Sequence, residues 1–154
     1  MLLPASELSL RSVKAASGDM PQSELVLNGQ PTGKVIDGAF LEVAIRWREL
    51  SLVFVTDNIM NEETLRIYLL DANCDVIDSA WLGAMYATGV FSLLDLQPPN
   101  TVRFLFFGGT GWTLKLLNNP TFALPFREPR GVHRRFGFFR HFKIDGKPQP
   151  ETRG

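Results

Sequence analysis

The chain has 154 residues, 16 basic and 16 acidic side chains, a formal net charge of zero and an apolar share of 45%. A chain of that size and composition is expected to form one globular domain with its own core, which excludes wholesale disorder. A single cysteine, Cys74, excludes an internal disulfide, and the longest apolar run falls far short of the roughly 18 residues a membrane-spanning helix needs.

Charge is unevenly spread. Residues 1–98 hold 13 acids against 6 bases, and residues 99–154 hold 3 acids against 10 bases. Such asymmetry fits either a charged partner or two complementary surfaces inside one domain. The first fourteen residues lack an early basic region, and Glu7 interrupts their apolar character, so no secretory signal is read there. A cytoplasmic protein without membrane contact is expected.

Residues 1–34 read as an irregular N-terminal segment. Within it, Leu3, Leu8, Leu10 and Val13 line a short helix or strand, which Gly18 and Pro21 break. Residues 24–27 suit a short strand, and Asn28-Gly29 is a tight-turn signal. From Phe40 the period-two pattern is strong. Leu41, Val43, Ile45 and Trp47 share one face, and Glu42, Ala44, Arg46 and Arg48 share the other. After Glu49 the parity flips and Leu50, Leu52 and Phe54 become the apolar set. A β-bulge in one long strand produces such a flip, and a tight turn is the alternative.

Residues 57–63 form a polar loop. Strands follow at 64–70 and 76–82, joined by a turn at 71–75. Residues 83–88 suit a turn or bend, and 89–96 a strand that ends before Pro98-Pro99. Residues 101–119 read as a hairpin around Gly108-Gly109-Thr110-Gly111. Its first strand carries large apolar residues on both faces, as expected of a central strand covered on both sides. Residues 120–131 hold three prolines and read as an extended connection, 133–144 as a final strand, and 145–154 as a frayed tail. The expected fold is a mainly β, single-domain antiparallel sandwich or barrel-like sheet spanning 1–154, with a short N-terminal helix as an option. Trp47, Phe54, Phe104, Phe106 and Trp112 are its expected core.

Chemistry-bearing motifs are sparse. Asp71, Asn73 and Asp75 fit the start of a calcium loop, but Val76 stands where its glycine belongs and Leu82 where its bidentate glutamate belongs. These side chains are expected to bond their own turn instead. No Gly-Lys-Ser/Thr follows the glycine run at 108–111, and a strand rather than a phosphate-binding helix comes next. His133 and His141 stand about 26 Å apart if they share one extended strand, too far to share a metal. No nucleophile-elbow pattern flanks a serine. Neither metal, cofactor nor catalytic residue is expected.

Three binding readings remain. The first is a non-catalytic protein-binding protein, in its specific form a bacterial toxin-neutralising (immunity) protein that occludes a cationic toxin site. Its candidate contacts are Asp57, Ile59, Met60, Glu62 and Glu63, an apolar tip among acids, with Asp71, Asp75 and Asp78 as the alternative. The second is a nucleic-acid module using residues 127–147. There Arg134, Arg135 and Arg140 are expected to face solvent and, with Phe138, to meet phosphates and bases; the alternative is an edge strand whose Phe136, Phe138 and Phe142 pack inward. The third is a carrier holding a small apolar ligand inside a barrel.

Overall fold

The computed structural model describes residues 2–13, 20–57, 64–83, 89–107, 111–123, 128–129, 131–134, 137 and 139–146. Period-two alternation of apolar side chains becomes strand throughout these segments. In chain order the strands are β1 (Leu2–Pro4), β2 (Leu8–Val13), β3 (Gln22–Leu27), β4 (Gln30–Asp37), β5 (Phe40–Trp47), β6 (Leu50–Thr56) and β7 (Leu65–Leu70). They continue with β8 (Val76–Leu82), β9 (Ser92–Gln97), β10 (Thr101–Leu105), β11 (Gly111–Phe122), β12 (Val132–Arg134) and β13 (Phe139–Asp145). Among the described residues there is no helix. None is therefore long and apolar enough to cross a membrane.

The strands form three antiparallel sheets. Six make a sheet in the order β1-β5-β6-β7-β8-β12, four make β13-β11-β10-β9, and three make β2-β3-β4. The six-stranded sheet is the middle layer. One face sends Ile45, Trp47, Leu52, Phe54 and Ile67 against Phe104, Trp112, Leu114 and Phe142 of the four-stranded sheet. Phe54 meets Phe104 edge-on at 5.2 Å between ring centroids. The opposite face sends Ala44, Val53, Val55 and Leu70 against Leu8, Leu25 and Ile36 of the three-stranded sheet. Two cores thus share one sheet. All five of the expected core aromatics are buried.

Strand β6 lies where both cores meet. Leu52 and Phe54 point into one, Val53 and Val55 into the other, and all four are fully buried. Burying each such side chain contributes roughly 1.5–3 kcal/mol relative to leaving it in water. Its backbone is satisfied by β5 on one side and β7 on the other.

The structure differs from several sequence expectations and chooses between others; β11, for one, runs on through Phe122 into the stretch read as an extended connection. The described residues within 1–34 are not irregular but hold β1 to β3 and part of β4, and in place of the optional helix residues 2–4 and 8–13 are strand. Leu3 is exposed while Leu8 and Leu25 are buried, so the apolar alternation there is weak. The parity flip at Glu49 is a tight turn: Trp47 pairs with Leu50, and Arg48 takes a left-handed φ of 59°. The bulge of this hairpin lies instead at Glu42, between Leu41 and Val43. It rotates Leu41 into the second core, away from Val43, Ile45 and Trp47.

The strand covered on both faces is β6, not β10. β10 has neighbours on both edges, but Leu105 on its outer face is 39% exposed. Finally, residues 133–144 do not make one strand. The chain leaves the six-stranded sheet after β12 and enters the four-stranded sheet at β13. Gly131 makes the approach to β12 possible: its φ is 84°, and a Cβ there would lie 2.3 Å from the Phe107 ring. The turn at 108–110 and the tail at 147–154 lie outside the described residues.

Phe104 touches Phe54 and Phe91 across the larger core. Replacing it with alanine is expected to cost about 3–5 kcal/mol, read from urea unfolding. A loss under about 1 kcal/mol would contradict the packing described.

Candidate functional site

Three hairpin turns and the β1–β2 link converge at one end of the six-stranded sheet. There they surround a groove of about 690 Å³. The β3–β4 turn contributes Asn28, the β5–β6 turn Arg48 and Glu49, the β7–β8 turn Asp71 and Cys74, and the link Glu7. Leu8, Leu27, Ala72 and Cys74 are the apolar members of its lining, and all but Ala72 belong to the second core. The remainder is charged or polar. The groove is the open end of the gap between the middle and three-stranded layers, and its size falls within the usual range for binding clefts.

Backbone conformation marks the same place. Among the described residues, three non-glycine residues have positive φ: Asn28 at 50°, Arg48 at 59° and Cys74 at 62°. All three line the groove. Asn28 in Asn-Gly is an inexpensive occupant of such a turn, whereas Arg48 and Cys74 are not. Left-handed conformations of non-glycine residues persist where surrounding contacts hold them. Arg48 is held from two sides. Its guanidinium lies 4.5 Å from the Trp47 ring centroid and Nη2 donates to Asn118 Oδ1 at 2.6 Å. Cys74 is held by the turn around it, where Asp71 Oδ1 accepts from the amides of Asn73 at 2.9 Å and Asp75 at 3.0 Å. The expected self-bonded turn is what forms.

Rim charges are partly spoken for. Glu7 pairs with Arg46, and Asp75 with Lys34 at 2.6 Å, which ties β4 to the β7–β8 turn. Hydrogen bonding to Asp75 raises the Lys34 ammonium above its ordinary range. Burial, and then the nearby Asp71 and Asp75 carboxylates, raise the Cys74 thiol above its ordinary value. A protonated, buried thiol is a poor nucleophile.

The acidic residues singled out in the sequence part company. Asp57 is buried and holds Arg66 through two hydrogen bonds, Nε to Oδ1 at 2.9 Å and Nη2 to Oδ2 at 3.1 Å. It therefore does not present its charge to a partner. Ile59, Met60, Glu62 and Glu63 lie outside the described residues. Asp71 lines the groove and Asp75 closes the same turn, but Asp78 is wholly buried in β8 and does not belong with them.

Arg134 and Arg140 do not face solvent. The side chain of Arg134 is 2% exposed and that of its partner Asp78 is 1% exposed. Arg134 donates from Nη2 to Asp78 Oδ2 at 2.6 Å, from Nε to Ser79 O at 3.0 Å and from Nη1 to Phe142 O at 3.0 Å. Its guanidinium also lies 4.1 Å from the Phe142 ring centroid. Asp78 in turn accepts from the His141 amide at 2.7 Å and the Ser79 amide at 2.8 Å. This cluster fastens β8 and β12 of the middle sheet to β13 of its neighbour. Counting charges along the segment could not reveal it, because Asp78 is 56 positions from Arg134.

Arg140 is buried as well and donates to Gly137 O at 3.1 Å, while Arg135 and Phe138 lie outside the described residues. The histidines occupy different sheets. His133 stacks on exposed Trp81 at 3.8 Å between centroids, and His141 lies on β13. Among the described residues no three His, Cys, Asp or Glu side chains gather as a metal site.

Removing Arg134 leaves a buried carboxylate without its cation. Arg134→Ala is expected to lose about 3–5 kcal/mol in chemical unfolding, where a solvated arginine would lose under about 0.5 kcal/mol. Cys74 is expected to react with iodoacetamide at neutral pH at least roughly tenfold more slowly in the folded protein than in urea. Equal rates would contradict its burial. Comparison with family models, with curated proteins and with solved structures finds no match for this chain.

Proposed function

We propose that the protein is a non-catalytic protein-binding protein that receives its partner at the turn-lined groove. The observation that carries this reading is the coincidence of three left-handed turn residues with that groove. Turns mounted on rigid strands are a common arrangement for recognition, because the scaffold supplies the order that binding would otherwise have to impose. An apolar floor beneath a charged rim suits an anchoring side chain inserted by a partner, with charge around it setting orientation.

The specific form we put forward is a toxin-neutralising (immunity) role, in which the chain covers a toxin's active site. Such a role asks only for a complementary surface. Glu7, Glu49 and Asp71 outnumber Arg46 and Arg48 in the groove lining, a slight negative excess that suits a cationic partner. The nucleic-acid reading loses support, because Arg134 and Arg140 are enclosed by the protein. The apolar-carrier reading also loses support: Trp112, Phe54, Phe104 and Phe142 fill the space between the two larger layers.

The test is to isolate the partner by pull-down and, where it is a toxin domain, to co-express the two, scored by cell growth, together with calorimetric binding to that domain. Protection and direct binding are expected. Glu49→Arg is expected to weaken binding by more than about 2 kcal/mol. Phe40→Lys, exposed at the end of the β5–β6 hairpin opposite the Arg48–Glu49 turn, is expected to leave it unchanged. Binding unaffected by Glu49→Arg in a folded variant would remove the groove as the site. Growth unprotected by the parent chain would remove the immunity role.

A further inference from the structure

Buried polar atoms are nearly always hydrogen-bonded, because a donor withdrawn from water without an acceptor is costly. Among the described residues one side-chain atom breaks this rule, Arg140 Nε. The Arg140 side chain is 4% exposed. Its Nη1 donates to the carbonyls of Gly137 at 3.1 Å and Phe139 at 3.3 Å. Glu128 Oε1 stands 3.7 Å from Nε, near enough to attract the cation and too far to accept its hydrogen. Glu128 accepts no hydrogen bond elsewhere among the described residues.

Both side chains line a pocket of about 230 Å³ beside β13, whose walls also include Arg134, Phe142, Lys143 and Asp145. It shares no lining residue with the turn-lined groove. Its charges cancel. Asp78 answers Arg134 at 2.6 Å, and the two remaining cations, Arg140 and Lys143, are matched in number by Glu128 and Asp145. An entering anion would meet Glu128 and an entering cation would meet Arg140, so neither is preferred. What the pocket lacks is hydrogen bonding: it holds a donor without an acceptor beside an acceptor without a donor. One water, at roughly 30 Å³, does not fill it, and a ligand of drug size needs about 300 Å³ or more. The space suits a small molecule or the end of a side chain.

We propose that this pocket binds a small uncharged primary amide, whose oxygen accepts from the Arg140 guanidinium and whose N–H donates to Glu128. An amide carries its acceptor and its donor on separate neighbouring atoms, which matches a donor and an acceptor 3.7 Å apart. Being neutral, it adds no charge to a balanced site. Phe142 supplies an apolar wall for its short carbon chain. The Glu128 side chain, 19% exposed and held by no hydrogen bond, is the part that shifts to admit the ligand. The same chemical group ends the side chains of asparagine and glutamine, so the source is a free small amide or such a side chain on a partner. This proposal is independent of the groove and of the function assigned to it.

Proton–nitrogen correlation spectra of the whole chain, read at the Arg140 Nε–H signal, test it. Acetamide is the probe, with acetate and methylammonium as charged analogues of similar size. Acetamide is expected to move the signal saturably, and either ion at equal concentration to leave it in place. Glu128→Ala is expected to weaken the acetamide response at least about tenfold, and Glu49→Arg, in the groove, to leave it unchanged. A signal unmoved by acetamide means that the pocket holds water only and overturns the proposal. A signal moved equally by acetate reveals an anion site and overturns it too, as does a full response in Glu128→Ala. Should that variant fail to fold, the three titrations of the parent decide. A blocked glutamine separates the two sources: a response beside that of acetamide supports a partner's side chain, and acetamide alone supports a free amide.

Discussion

Burial of β6 on both faces is the constraint on which the rest of this architecture depends. A strand without access to water must place all of its backbone groups in hydrogen bonds, and β5 and β7 receive them. Its side chains require apolar cover above and below. The four-stranded sheet provides one cover and the three-stranded sheet the other. Neither outer sheet buries both of its own faces, so each can afford the polar alternation that the middle strand lacks. The layered order follows from that single requirement.

Most polar groups that enter this apolar frame are matched; Arg140 Nε, buried without a hydrogen-bond partner, is an exception. Asp78 and Arg134 illustrate the rule: between them they engage two backbone amides and two carbonyls besides each other. A buried ion pair adds little net stability over a well-packed apolar pair, but it tolerates very few alternative arrangements. Its position at the passage from one sheet to the next defines where β13 docks. The charge imbalance along the chain is partly explained by this pair and by Asp95 with Arg103, each joining the acidic part to the basic part.

Strand identity was largely legible because it is written locally. The alternation at Ile45 and Trp47, and at Phe104 and Trp112, needs only neighbouring residues to be read, and those strands and their burial agree with expectation. What escaped was assignment to layers. Val53 and Val55 fall between Leu52, Phe54 and Thr56, and the uninterrupted apolar run 52–55 was the available sign of a strand covered twice. The groove was legible only in fragments. Asn28-Gly29 and the Asp71 turn were recognisable separately, but their convergence depends on which strands become neighbours. Arg134 misled for the same reason, since its partner lies in a distant part of the sequence.

The separation between Asp78 and Arg134 also has a temporal side. During synthesis Asp78 leaves the ribosome 56 residues ahead of its cation. At about 5–20 residues per second that interval is roughly 3–11 seconds, long compared with the formation of a hairpin. Strands β5 to β8 can assemble in that time, leaving an ionised carboxylate in water at the margin of a growing sheet. Until β12 arrives, β8 is a terminal strand whose outer hydrogen-bonding groups are open to other nascent chains. The aspartate charge that is later enclosed remains in water until the remainder of the polypeptide emerges to bury it.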